Sequence, residues 1–251
     1  MKFENQTVAI TGGNSGIGRA AAAGFAREGA KVSILGRSEE TVVSTATELG
    51  VEGFVGDTTK TEDLDRFFAS VSRKADKINV LVANAGIAEF LPFEATDLDH
   101  FERTMAINFL GTVATIKAAL PYLANPASVV LTTSIASQLG EPNTSAYSAS
   151  KAAMGSLVRT LSRELLPKGI RLNAVSPGPT ATPIFERMGL EGEMLDQTHN
   201  ALSNVIPAGR LGKVADQANA ILFLAAPEND FVVGQELTVD GGVVGCAAIG
   251  N

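Results

Sequence analysis

Seven short β-branched runs, separated by stretches of helical periodicity, constrain this chain more than any other feature. They are Thr7-Val8-Ala9-Ile10, Lys31-Val32-Ser33-Ile34-Leu35, Gly53-Phe54-Val55, Asn79-Val80-Leu81-Val82, Ser128-Val129-Val130-Leu131, Ile170-Arg171-Leu172-Asn173-Ala174-Val175 and Glu236-Leu237-Thr238-Val239. Several are near-continuous apolar segments, as expected of strands covered on both faces. Helical patterns fill the gaps at 16–29, 39–49, 61–75, 97–122, 145–167 and 214–226. Such alternation implies parallel strands joined by right-handed crossovers, and so a doubly wound α/β sheet. Ser38 before Glu39 and Glu40 reads as a helix N-cap with an acidic first turn, and Gly50 as the stop of that helix. The long non-periodic region 176–213 is rich in Gly and Pro yet carries Ile184, Phe185, Met188, Leu190, Met194 and Leu195. A loop of that length is usually functional, and a substrate lid is expected at 183–212.

With 251 residues, 45% hydrophobic and 19% charged, the chain can bury one large core, and a single domain over 1–251 is expected. A net charge of −7 argues against nucleic acid or an anionic membrane as the main partner. Cys246 is the sole cysteine, which rules out an intrachain disulfide and suits a reducing cytoplasm. The polar start from Met1 to Gln6 and the lack of a membrane-length apolar run predict a chain that is neither exported nor membrane-spanning. His100 and His199 read as surface residues; with no His/Cys/Glu cluster at ligand spacing, no metal is expected. Ser134 lacks a nucleophile elbow and a histidine partner, so serine hydrolysis is not expected.

Directly after the first run stands Thr11-Gly12-Gly13-Asn14-Ser15-Gly16-Ile17-Gly18-Arg19, leading into an alanine-rich helix. Glycines there let the backbone turn tightly and approach a pyrophosphate, while the helix start offers unpaired N–H groups and partial positive charge. The alternative is a tight turn with no ligand; its place between first strand and first helix favours the phosphate. About 20 residues on, where an NAD site would place an acid against the ribose 2′-hydroxyl, the chain reads Leu35-Gly36-Arg37. Gly36 leaves room and Arg37 can pair a 2′-phosphate, with Ser38 and Asn14 or Ser15 as helpers, which favours NADP over NAD. Glu39 and Glu40 are competing acids, better suited to the first turn of the next helix.

Tyr147 and Lys151 lie four residues apart in a helical stretch and so share a face. An ammonium beside a phenol favours the phenolate and draws the pKa toward the range of a general acid or base. A surface helix pair is the plain alternative. Ser134 ends an apolar run thirteen residues upstream of Tyr147.

Thr-Gly-x-x-x-Gly-x-Gly with Tyr-x-x-x-Lys resembles the single-domain short-chain dehydrogenase/reductase family, and the resemblance runs on to Val239-Asp240-Gly241-Gly242. It implies a Rossmann-like sheet of about seven strands, ordered 3-2-1-4-5-6-7, with helices on both faces. It implies that Gly12, Asn14, Ser15, Gly16, Ile17 and Gly18 hold the dinucleotide. Asp57, with Thr58, would bond the adenine amino group; a strand-end turn carboxylate is the alternative. Asn84, Ala85 and Gly86 would follow the ribose and steady the sheet, although Ala83 stands where the family usually has Asn. Pro177, Gly178 and Thr182 would hold the nicotinamide carboxamide. In family terms Tyr147 is the acid/base, Lys151 lowers its pKa and bonds the nicotinamide ribose, and Ser134 orients the substrate oxygen. Asn108 would bend its helix and position a water linking Lys151 to solvent; a solvated surface asparagine is the alternative.

The resulting expectation is an NADP-dependent oxidoreductase acting on a ketone or secondary alcohol with a hydrophobic body. Its pocket would be closed by Ile135, Ala136, Gln138, Leu139, Ala88, Glu89, Phe90 and the 183–210 segment. A 3-oxoacyl-acyl-carrier-protein reductase is the alternative, ranked second because the loop expected before the fifth strand, 123–127, carries no cation and the lid carries Glu186, Glu191, Glu193 and Asp196. A non-catalytic NADP sensor or scaffold is an alternative of another class. The resemblance also implies a homotetramer. The surplus of small and apolar residues on the two long helices (Ala114, Ala118, Ala153, Gly155, Leu157, Val158) agrees with self-association, with the tail 243–251 tucked against a neighbour and Cys246 buried there.

Overall fold

Residues 7–11 form an interior strand of the sheet: all five side chains are buried, and period-two alternation divides them between two helix layers. In this computed structural model, which describes residues 1–75, 77–183 and 191–246, that strand is β1 (Thr7–Thr11). The other strands are β2 (Lys31–Gly36), β3 (Glu52–Val55), β4 (Ile78–Ala83), β5 (Leu123–Thr132), β6 (Ile170–Pro177), β7 (Thr180–Ala181), β8 (Gly212–Lys213) and β9 (Glu236–Val239). Seven of them form one parallel sheet in the order β3-β2-β1-β4-β5-β6-β9, with β9 as the expected seventh strand. The short β7 and β8 pair apart from it.

Val8, Ile10, Val32, Ile34, Val80 and Val82 face a core closed by α1 (Gly16–Arg27) and α8 (Val214–Ala225), through Ala21, Ala22, Phe25, Ile221 and Leu224. Ala9, Leu35, Leu81, Val129, Leu131 and Leu172 face the opposite core, which takes Leu64, Phe67 and Phe68 from α3 (Thr61–Ala75). Ile116 of α5 (Gly111–Ala119) and Met154 and Val158 of α6 (Ser145–Leu165) complete it. Each such Val, Leu, Ile, Phe or Met side chain contributes about 1.5–3 kcal/mol by leaving water. Helix α2 (Glu39–Leu49) starts as its sequence predicts: Ser38 Oγ accepts from Thr41 N, Glu39 and Glu40 lie in the first turn, and Gly50 closes the helix in the left-handed region.

Three departures from the sequence reading stand out. The helix expected over 97–122 is divided into α4 (Leu98–Met105) and α5 by a π-helical segment, Ala106–Leu110, centred on Asn108. The region 176–213 is not wholly irregular: Gly192–Val205 forms α7, which buries none of its residues. Residues 123–127 belong to β5 and slip register against β4 rather than forming a loop. Several small residues assigned to self-association are used within the subunit: Gly155 and Val158 are buried, and Ala114 and Ala118 pack on the core. The expected lid residues 184–190 and the tail residues 247–251 lie outside the described residues.

The C-terminal layer is tied down by Arg171 of β6. Its guanidinium donates to the carbonyls of Leu224 (3.0 Å) and Ala226 (3.1 Å) at the end of α8 and to that of Val232 (3.1 Å) in the segment before β9.

Candidate active site

Sheet order reverses at β1, whose neighbours are β2 on one side and β4 on the other, so a crevice opens at the carboxyl ends of these strands. Gly12, at the end of β1, has φ +65° and donates its N–H to Leu35 O at 2.8 Å. A Cβ at Gly18 would stand 2.2 Å from Gly12 O, so the first turn of α1 can press on the strand end only without a side chain. Helix α1 begins at Ser15 with no side-chain cap bond and no acid in its first turn, which suits an anion at its N-terminus. Thr182 and Pro183 reach this turn from the far side: a Cβ at Gly16 would lie 3.7 Å from Thr182 Cβ and 3.9 Å from Pro183 Cδ. Pro177 ends β6, and Gly178 packs against Asp240, donating its N–H to Val239 O at 3.0 Å.

Asn84 proves to be a latch. Its Nδ2 donates to Gly12 O (3.1 Å), its Oδ1 accepts from Thr132 Oγ1 (3.1 Å), and Thr11 Oγ1 accepts from the N–H groups of Asn84 and Ala85 (3.2 and 3.3 Å). One amide thus ties the ends of β1, β4 and β5 together. Sequence reading missed Thr11 and Thr132 here, and nothing in their spacing signals the role.

The 2′-phosphate helpers fare unevenly. Asn14 Nδ2 is committed to Thr41 Oγ1 at 2.7 Å, and the space above Gly36, expected to be free, is filled by the Asn14 side chain. Ser38 Oγ is engaged as the N-cap of α2. Arg37 is exposed, and among the described residues its guanidinium makes no ion pair. Asp57 Oδ1 accepts from Thr59 N (2.9 Å) and Thr59 Oγ1 (2.8 Å), the turn-carboxylate arrangement. Burial pushes this carboxyl up, but the Thr59 bonds and the charges of Arg37 and Lys60 outweigh it and hold it below the usual range. Thr58 beside it is buried and packs on Gly111.

Across the crevice, Ser134 ends the run that follows β5, and its Oγ accepts from Ala136 N at 3.2 Å. The same hydroxyl lies beside the Tyr147 phenol, close enough to favour its ionised form. Lys151 is buried one turn further along α6, with Nζ 5.7 Å from the Tyr147 ring centroid and donating to Thr132 O at 2.8 Å. The three groups that the sequence placed together therefore converge.

The electrostatics differ from the sequence expectation. Burial raises the phenol's pKa above its usual 10.0, and the neighbouring Ser134 hydroxyl offsets this only in part. Burial also brings Lys151 down to about 8.

Asn108 is fully buried, not solvated. Its Oδ1 accepts from Ile87 N (2.8 Å) and its Nδ2 donates to Ile87 O (3.0 Å) and Ser150 Oγ (3.0 Å), joining the π segment to the loop after β4 and to α6. Gly86 lies beside it: a Cβ there would come 3.1 Å from Asn108 Oδ1 and 3.7 Å from Lys151 Nζ.

Of the expected pocket residues, Phe90 packs edge-on to Tyr147 (centroids 5.5 Å apart), and Ile135 is buried. His100 is buried too, against expectation. Its Nδ1 is 3.6 Å from Glu89 Oε2, a carboxylate also paired with Arg103, which draws the ring inward under the loop after β4. Cys246 is exposed. Two surface depressions of about 570 and 560 Å³ lie elsewhere, beside α3 and beside the end of α7, and neither includes Ser134, Tyr147 or Lys151. Among the described residues no group of three or more His, Cys, Asp or Glu could hold a metal ion, and no helix is long and apolar enough to cross a membrane.

A glycine turn at the reversal point of a doubly wound sheet, facing a hydroxyl, a phenol and an amine, is the layout of a nucleotide-dependent oxidoreductase class. The model of a family described as Enoyl-(Acyl carrier protein) reductase matches residues 12–244. The chain is 36% identical to Glucose 1-dehydrogenase of Gluconobacter oxydans, over 96% of this chain and 93% of that protein. It is 33% identical to the 3-oxoacyl-(acyl-carrier-protein) reductase of Thermotoga maritima, over 97% of this chain and all of that one. A crystal structure of a short-chain dehydrogenase/reductase of unknown function from Caenorhabditis elegans, solved with cofactor, superposes with a TM-score of 0.93 at 32% identity, covering 99% of this chain and 98% of that one. The chain belongs to the short-chain dehydrogenase/reductase family of oxidoreductases.

Proposed function

We propose that this chain is an NADP(H)-dependent oxidoreductase that moves hydride between the nicotinamide and a ketone or secondary alcohol. Residues 1–251 act in this reading as one dinucleotide-binding domain with a substrate lid at 183–212. The observation that carries it is the convergence of Ser134, Tyr147 and Lys151 opposite an uncapped helix N-terminus. That crevice fits a dinucleotide because its glycine turn tolerates no side chain at Gly18 and Arg37 offers an exposed guanidinium for a 2′-phosphate.

Bound nicotinamide supplies or takes up the hydride. Ser134 holds the substrate oxygen, and Tyr147 gives it a proton as negative charge develops there. A phenol raised by burial is fully protonated at neutral pH, the form a donor requires. In the oxidising direction the phenolate is needed, and charged Lys151 is the neighbouring group that favours it. Lys151 also bonds the ribose hydroxyls, and Asn108 orders the relay to solvent. Gly12, Asn14, Ser15, Gly16, Ile17 and Gly18 cradle the pyrophosphate. Asp57 and Thr58 border the adenine, and Pro177, Gly178 and Thr182 border the carboxamide.

Following NADPH absorbance over ketones, diketones, sugars and β-ketoacyl thioesters tests the reading. Turnover with ketones or sugars is the expected outcome. A strong preference for the thioesters would favour the second reading, an acyl-carrier-protein reductase, which the Thermotoga maritima relative brings forward. Exposed Glu191, Glu193 and Asp196 disfavour that reading, since an acidic carrier would meet like charge. Tight NADP binding with no turnover on any substrate would point to a sensor or scaffold. Catalytic efficiency with NAD above that with NADP would refute the role of Arg37.

The proposed assembly is a cytoplasmic homotetramer, supported by exposed Leu98 and Leu110 on the α4–α5 face and Phe231 before β9. A monomer in sedimentation would contradict it.

A further inference from the structure

Where an NAD-binding sheet carries an acid at the end of its second strand, this chain has Gly36, and the space over Gly36 is already filled from the opposite wall. A Cβ at position 36 would stand 2.3 Å from Asn14 Oδ1, 2.5 Å from Asn14 Cγ and 2.9 Å from Val42 Cγ2. Asn14 is held in that place. Its Nδ2 donates to Thr41 Oγ1 at 2.7 Å, and the Thr41 hydroxyl donates in turn to Ser38 O at 3.2 Å. The Asn14 carbonyl accepts from Thr45 Oγ1 at 3.3 Å. A small network thus ties the glycine turn to α2 and closes around position 36. Val42 is buried, so that side of the space cannot yield without disturbing packing.

We propose that Asn14 is a specificity-determining residue that excludes any side chain, and above all a carboxylate, from position 36, so that dinucleotide choice is set by positions 14 and 36 as a coupled pair. This rests on reading the crevice as a dinucleotide site. An acid at 36 must evict Asn14 from Thr41 before it can meet a ribose 2′-hydroxyl. Until then it costs local packing and offers nothing to NAD, and the exposed Arg37 remains the group available to the 2′ position. Preference for a 2′-phosphate is on this account enforced by a filled space and not merely by the lack of an acid.

Calorimetric titration of NADP⁺ and NAD⁺ into wild type, Asn14→Ala, Gly36→Asp and the double variant tests the coupling without relying on turnover. Gly36→Asp alone is expected to bind NAD⁺ at least tenfold more weakly than the double variant does, and to have lost NADP⁺ affinity relative to wild type. Because an aspartate there also perturbs folding, Gly36→Ala serves as a second probe. It should melt below wild type, and Asn14→Ala in the same chain should recover most of that loss. Gly36→Asp binding NAD⁺ as tightly as the double variant, or Gly36→Ala melting with wild type, would overturn the proposal. A wild type that binds neither dinucleotide would bring down the site reading together with this one; additive effects at 14 and 36 in a wild type that prefers NADP⁺ would bring down this one alone.

Discussion

Helices α6 and α7 make an instructive pair. Helix α6 carries Tyr147 and Lys151 and buries eight residues, among them Ser150, Met154, Val158 and Leu165. Helix α7 buries none and meets the body of the fold through Ile206, just past its end, which lies beside Gly241 after β9. In the proposed reaction, the groups that must hold a proton within bonding distance of a substrate stand on an element whose place is over-determined by packing. Helix α7, which lies within the expected lid segment 183–212, buries no residue and so has less packing to hold it.

The largest effect should fall on α6. Tyr147→Phe is expected to lower kcat by roughly 10²–10⁴-fold while leaving the dinucleotide dissociation constant within a few-fold, read by steady-state kinetics and calorimetry. Near-native turnover would remove the contrast at its root. Met154→Ala should cost about 2–5 kcal/mol in urea unfolding, because it empties a fully buried site in the core beneath α6.

A pH series gives the next effect. Lys151 holds its proton less tightly in the fold, at about 8, than in the unfolded chain, near 10.5. Between those values the unfolded state binds more protons, so stability rises with pH, whereas below about 8 both states are protonated and the slope vanishes. Tyr147, raised above 10.0, adds nothing until pH exceeds 10 and then acts in the opposite sense. Wild type should therefore gain roughly 1–3 kcal/mol over Lys151→Met between pH 7.5 and 9.5, measured as the difference between their urea midpoints.

The smallest effect belongs to α7. Met194→Ala, at an exposed position, should move unfolding free energy by no more than about 0.5 kcal/mol. A loss as large as that of Met154→Ala would show that the two helices are packed alike.

What could be read from the residues divides along the same line. The seven strands and their parallel arrangement were legible because β-branched runs alternate with helical stretches, whereas their order across the sheet came from the family resemblance. The cap of α2 was legible because Ser38, Glu39, Glu40 and Gly50 act through local backbone chemistry. The π segment at Asn108 was not, since its cause is a buried amide bonded to Ile87 and Ser150, each distant in sequence. His100 was misread as surface for a similar reason: its surroundings depend on Glu89 and Arg103 closing over it. Gly36 looked like open room because a missing side chain does not reveal what fills the space.

By itself, the amino-acid order determined the doubly wound sheet, the glycine turn after the first strand and the one-turn spacing of Tyr147 and Lys151, because each follows from periodicity or local geometry. Tertiary structure alone decided that Ser134 reaches the phenol, that burial raises Tyr147 and brings Lys151 to about 8, and that Asn14 fills the space over Gly36. Desolvation and contact between distant residues exist only once the chain has closed around them.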